Sequence, residues 1–346
     1  MNQISKSIPV QRSAPGYFWA AIACLIAATA ALLFLPYSYG VGTERYSLAK
    51  LFWTTWNGSE DWEHCMFVPI IAAVLIYLRK DALQTTPYKS SLWPIAFVLM
   101  GLGLYIIGIK ADVFSIGEYS VFFFFLSAFL WLFGLPKFKC ILFPLCFLIF
   151  AIPIPASDTT IAFPLRMQMT EMATHMLNFI GLPSIQVGSA VISAPDKVLN
   201  IAEGAKFAVD IASPCSGMRS LFALMMVSAL YAYFSVKPTW KQILLFCCSV
   251  PLAIAGNLAR ILILTFGTLM FGAPFAIGSL EHPTWFHMLA GFAVFFVALG
   301  GLIFIGWILQ TDWIALVREI NQRTKSKATE KASVTKTTSP KDKDVY

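Results

Sequence analysis

Eight apolar runs divide this chain, and polar, basic or proline-containing stretches bound each one. They cover residues 17–35, 65–78, 92–109, 116–133, 140–152, 215–234, 242–260 and 288–309. A helix needs about 20 apolar residues to cross a bilayer, within a range of about 17 to 25. The pattern therefore predicts an all-α polytopic membrane protein of about eight transmembrane helices. The second and fifth runs are short, so they must extend at their ends or be shielded by the rest of the protein. Composition agrees: of 346 residues, 58% are hydrophobic and 12% charged, against about 25% charged in soluble domains. The first run is longer than a signal-peptide core, and no small-residue cleavage site follows it in Pro36-Tyr37-Ser38-Tyr39-Gly40, so it reads as a retained span.

Basic residues set the orientation. With the N-terminus in the cytoplasm, the inner segments hold Lys6, Arg12, Arg79, Lys80, Lys89, Lys137, Lys139, Lys237, Lys241 and the eight basic residues beyond Trp313. That is 17 of the 25 Lys and Arg, against six in the outer loops (Arg45, Lys50, Lys110, Arg166, Lys197, Lys206). Both termini are then cytoplasmic. The organisation is a short N-terminus (1–16), a membrane domain (17–312) with an outer loop (156–214), and a basic tail (313–346). The tail is rich in Lys, Thr, Ser and Ala, a composition that cannot bury a core. The net charge of +7 is concentrated there. With no aromatic residues interleaved among the basic ones, it does not point to nucleic acid.

The loop holds two distinct segments. Residues 160–182 look helical but carry Arg166, Gln168, Glu171 and His175. Charges inside a bilayer are costly, and a crossing here would turn the basic tail outward. The segment is placed along the outer surface or as a re-entrant piece. Residues 183–214 contain β-like runs at 185–187, 197–201 and 207–211, which read as an extracytoplasmic hairpin or small sheet before Cys215.

Seven cysteines at 24, 65, 140, 146, 215, 247 and 248 have no regular spacing, which argues against a disulfide framework or a zinc site. Only Cys65 and Cys215 have polar neighbours. Cys215 opens an apolar helix within Ser213-Pro214-Cys215-Ser216-Gly217-Met218-Arg219-Ser220. The helix from Cys215 descends about 30 Å, and that from Gln242 climbs about 28 Å to Arg260. His287 immediately precedes the last run. Cys215, Arg260 and His287 therefore share one depth at the outer face. A helix N-terminus and a cation one turn away, Arg219, both favour a thiolate. His287 is a candidate general base and then acid, and Arg260 a candidate oxyanion or carboxylate ligand. Plainer readings stay open: Cys215 as a small interfacial residue, Arg219 and Arg260 snorkelling to lipid phosphate, His287 as a helix cap. A metal site from Glu281, His282 and His287 lacks a standard zinc spacing, so neither metal nor cofactor is expected.

With these residues assembled, the chain resembles the exosortase/archaeosortase family of polytopic membrane cysteine transpeptidases. Cys215-Ser216-Gly217-Met218-Arg219-Ser220-Leu221 is similar to the family's C-S-G-x-R-S-L motif. The stretch from Pro251 through Asn257 to Arg260-Ile261 is similar to P-x-A-x-x-x-N-x-x-R-I, and His287-Met288-Leu289-Ala290-Gly291-Phe292 to H-x-x-x-G-F. Upstream, Asp61-Trp62-Glu63-His64, Phe67-Val68-Pro69, Arg79 and Phe143-Pro144-Leu145 through Pro155 follow the family's order. Glu63 and Cys65 depart from the usual Ser and Gly.

The resemblance implies a protease or transpeptidase of the bacterial inner membrane with its site facing the periplasm. Its substrates would be exported proteins with PEP-CTERM-like C-terminal signals: a short motif, a membrane helix and a basic cluster. In some cases it would transfer them to an envelope or exopolysaccharide acceptor. Carried over, Cys215, Arg260 and His287 are catalytic, and Arg219, Asn257, Ser216 and His64 support them. A Cys65–Cys215 disulfide would silence the nucleophile, so both thiols are taken as free. Two other classes remain: a carrier or flippase for an envelope precursor, with Arg219 and Arg260 binding an anion, and a non-catalytic assembly scaffold.

Overall fold

A computed structural model describes residues 15–39, 45–58, 62–153, 163–196, 200–210, 218–278, 284–311 and 322. Helices dominate it. Helix α1 (Pro15–Phe34) leads into an antiparallel pair, β1 (Pro36–Tyr39) and β2 (Arg45–Ser47), and then α2 (Leu48–Gly58). A 3-10 turn (Glu63–Phe67) precedes α3 (Val68–Tyr77), the short α4 (Lys80–Thr85), α5 (Trp93–Ala111) and α6 (Phe114–Cys140). After them come α7 (Leu142–Phe147) and a second 3-10 turn (Leu148–Ala151). Helix α8 (Phe163–Phe179) and strands β3 (Ser184–Val187), β4 (Ala190–Ser193) and β5 (Ala208–Asp210) separate this half from α9 (Met218–Ser235). The chain ends in α10 (Thr239–Phe271), α11 (Ala273–Ala276) and α12 (Trp285–Gln310).

Among the described residues, four helices are long and apolar enough to cross a membrane: Trp93–Ala111, Ser115–Cys140, Thr239–Phe271 and Trp285–Gln310. Shorter apolar helices cover Glu63–Tyr77, Leu142–Ala151 and Arg219–Ser235. The structure thus bears out a mostly helical membrane protein. The N-terminal 1–14 and, apart from Gln322, the tail from 312 onward lie outside the described residues.

Helix α10 is longer than its apolar run suggested. It continues 11 residues beyond Arg260 because Ile261-Leu262-Ile263-Leu264 contains no breaker before Gly272, where φ is +85°. Arg260 is therefore an interior residue of the helix, about 32 Å above Thr239, and not its last. One face of the extension is covered by protein. Leu258, Ile261 and Leu264 pack with Met169, Ala173 and Leu177 of α8 and with Val191 and Val209 of the sheet. The four-residue spacing of Met169, Ala173 and Leu177 gives α8 a single apolar stripe. Its Glu171 and His175 stay outside as an exposed pair 3.9 Å apart. Residues 163–179 are thus a cover for α10.

The sheet is three-stranded and antiparallel in the order β3-β4-β5, where the sequence suggested strands at 185–187, 197–201 and 207–211. The central strand β4 pairs directly with β3 through a Gly188-Ser189 turn, with Gly188 at φ +60°. Of the 197–201 run, residues 197–199 lie outside the described ones, and Ile201 makes only an isolated bridge to Asp196.

In the N-terminal half, α6 carries a kink at Gly134, whose φ of +71° is costly for other residues. There Leu135 N–H donates to the Lys89 carbonyl at 3.0 Å, tying the bend to the α4–α5 linker. A Cβ at Gly134 would stand 2.6 Å from that carbonyl oxygen. Gly134→Ala is expected to cost about 1–3 kcal/mol from backbone strain alone, read as a lower Tm of the full chain in detergent.

Candidate active site

Helices α9, α10 and α12 form one bundle whose seam is lined by small residues. A Cβ at Gly256 would lie 3.1 Å from Val294 Cγ1, and one at Gly301 3.2 Å from Leu252. Ala253, Ala290 and Ala298 are buried along the same seam. Small residues let helix backbones approach closely, where dispersion contacts replace the hydrophobic drive that lipid removes. The lower end is tied by polar contacts. Ser228 Oγ donates to the Leu245 carbonyl at 3.2 Å and Lys241 Nζ to the Leu309 carbonyl at 2.5 Å. Gln310 donates to the Ser235 carbonyl.

This seam brings Arg260 of α10 against the turn of α12 that follows His287. The Arg260 guanidinium lies flat over Gly291, so close that a Cβ there would meet its Cζ at 3.2 Å. Gly291 is one helical turn past His287, so the guanidinium lies against the same face of α12 that carries the imidazole. His287 is 6% exposed. It stands three residues into α12, where Thr284 Oγ1 accepts from its backbone N–H at 3.2 Å. Thr284 Oγ in turn donates to the Ala276 carbonyl at 3.2 Å. That cap anchors the first turn of α12 to α11 and fixes the depth of the imidazole. Asn257, one turn before Arg260, is also buried.

Ser220 of α9 joins them. It lines, with Asn257, Arg260 and Gly291, a crevice of about 20 Å³ between the three helices, room for about one water molecule. Ser220 was not singled out from the sequence, although it stands in the quoted motif one position after Arg219. Arg219 itself is exposed on the first turn of α9 and does not line the crevice. Cys215 and Ser216 lie outside the described residues, as do Glu281 and His282. The described part of α9 begins three residues after Cys215.

His64 reaches the same end of α9 from the other side. Its ring stacks with Phe222 at 6.2 Å between centroids, and Trp62 meets Phe222 at 5.0 Å. The 3-10 turn that carries His64 therefore docks on the first turn of α9. Cys65, next to it, is a free and fully buried thiol that donates to the Phe150 carbonyl at 3.2 Å. Its polar sequence neighbours set it apart from the other cysteines, and in the structure it ties this turn to the second 3-10 turn.

Chemically, the arrangement offers an imidazole and a guanidinium on adjacent helices, with a hydroxyl and a carboxamide nearby. Among the described residues no cluster of His, Cys, Asp or Glu has the makings of a metal site. Residues 53–304 match the family model described as transmembrane exosortase (Exosortase_EpsH). No curated protein and no solved structure matches the chain.

The close contact at Gly291 makes a direct test of this packing. Gly291→Val should push the guanidinium off α12 while leaving the helices folded. The expected readout is a Tm change of a few degrees, from about 1–3 kcal/mol of overpacking, together with altered chemical shifts of the His287 ring. Unchanged His287 resonances would show that Arg260 does not depend on the bare Gly291 surface.

Proposed function

This chain belongs to the transmembrane exosortase family, and from that premise we propose that it is a membrane cysteine protease or transpeptidase. It cleaves C-terminal tripartite sorting signals of exported proteins at the outer face of the inner membrane, with both termini in the cytoplasm. Four helices long and apolar enough to cross a membrane, with three shorter apolar helices among the described residues, support a polytopic arrangement of this kind. The observation that carries the reading is the packing of Arg260 over Gly291, one helical turn past His287, beside the end of α9 that follows Cys215.

In this reading the Cys215 thiolate attacks the scissile carbonyl, forming a C–S bond and an oxyanion. The Arg260 guanidinium stabilises that oxyanion in a site shielded from water, where a fixed charge is worth most. His287 takes the thiol proton and returns it to the leaving amine as the C–N bond breaks. Water or an amine acceptor then attacks the thioester and releases the sulfur. Asn257, Ser216, Arg219 and His64 hold the reacting groups in place, Asn257 from within the α10 seam and His64 through Phe222.

The test is co-expression with an exported protein that ends in a short motif, a membrane helix and a basic cluster. Cys215→Ala should abolish processing, by about 10³-fold or more. Arg260→Ala should lower it by about 10²–10³-fold, as expected for a lost oxyanion donor. Equal processing by wild type and Cys215→Ala would overturn the reading. A carrier would tolerate Cys215→Ser, whereas a cysteine peptidase would not.

A further inference from the structure

A second site lies in the N-terminal half, apart from Arg260 and His287. Glu118 of α6 is 0% exposed, and among the described residues neither carboxyl oxygen has a hydrogen-bond partner. It lines a cavity of about 470 Å³ between α1, α2, α3, α6 and the second 3-10 turn, within the range of small-molecule sites. Among the described residues, no other one lining this cavity carries an ionisable side chain. Tyr37 and Cys65 are proton donors in this half of the chain, but both give their protons elsewhere. Tyr37 donates to the Tyr105 carbonyl at 3.4 Å and Cys65 to the Phe150 carbonyl at 3.2 Å. Tyr37, outside the spans, is itself pushed up to about 12, chiefly by burial.

A buried carboxyl without a partner is among the costliest groups a fold can carry, and each one needs an explanation. Here the walls supply one. Phe52, Trp56 and Phe122 present aromatic rings to the cavity, with Phe52 and Trp56 at 5.3 Å. A carboxyl among aromatic faces is the chemistry that recognises an ammonium group, through charge-assisted hydrogen bonds and cation–π attraction. Aliphatic walls from Leu33, Ile76 and Leu148 suit a hydrocarbon chain. Pro69, Ala73 and Phe125, also in the lining, are exposed on the outside of the helix bundle. The cavity is therefore open sideways, towards the lipid that surrounds a membrane chain.

We infer that this cavity binds an amine-headed amphiphile from the bilayer, its ammonium donating to Glu118 and its chain lying between α2 and α3. The site is independent of the chemistry assigned to Cys215. The experiment uses the full chain in a neutral, amine-free detergent, with dodecylamine as the probe and dodecanol as the uncharged control. Wild type should bind dodecylamine at least about tenfold more tightly than Glu118→Gln does, the worth of one charge-assisted hydrogen bond. Bound amine should raise the Tm of wild type and not of the variant. Ala72→Phe, which fills the cavity and keeps the carboxyl, should also abolish binding, which separates loss of the site from loss of charge. Mass spectrometry of co-purified lipid should find an aminolipid on wild type that is absent from Glu118→Gln. Equal affinity in wild type and Glu118→Gln, or no preference for the amine over dodecanol, would overturn the inference. So would a bound transmembrane peptide in place of an aminolipid.

Discussion

The close approach of α10 to α12 is the contact on which the candidate site depends. In a bilayer, lipid tails offer helices nothing to escape from, so association rests on shape. Gly256, Gly291 and Gly301 remove side chains where Val294, Arg260 and Leu252 need room. The same bare surface that allows the helices to pack also gives a guanidinium somewhere to lie. A larger residue at 291 would separate the helices or evict the arginine. Packing and chemistry are met here by one glycine, which explains how a charged side chain is tolerated within a long apolar helix.

The sequence resolves the fold unevenly, for physical reasons. The long apolar runs are legible because backbone groups in lipid must bond within their own segment, so a span cannot be shorter than the hydrocarbon. The end of α10 is not legible in this way. Residues after Arg260 are as apolar as those before it, but their partners are α8 and the sheet. Hydropathy cannot tell a lipid-facing leucine from one covered by protein. Residues 160–182 have the converse problem, since their polar face signals water and their apolar stripe turns out to be reserved for α10. Strand β4 was missed because its pairing is set by a two-residue turn rather than by its own composition.

The site residues show the same split. Arg260 and His287 can be brought to one level by counting helical rise, because rise per residue is fixed. Their lateral contact cannot, because it depends on which face of each helix carries the glycines. Ser220 and Glu118 were overlooked for different reasons. Ser220 is a small polar residue beside a more conspicuous arginine. Glu118 is a single carboxyl four residues before the aromatic run Phe122 to Phe125, whose hydropathy dominates the window and hides it. An isolated acid at membrane depth is itself a signal, and it points to the cavity between α2 and α3.

The ties between α9, α10 and α12 are polar at the lower end and glycine-lined above. Lys241, Gln310 and Ser228 fasten that lower end to backbone carbonyls. Helix α10 runs unbroken for 33 residues from there. Its length turns angle into displacement: the farther a residue lies from the fastened end, the more a given tilt moves it. A tilt of about 5° about the level of Lys241 would move the level of Arg260, roughly 28 Å along the helix, by about 2.5 Å. The distance between guanidinium and imidazole is thus geared to angle, and small rotations of the rod amount to a coarse adjustment of the site.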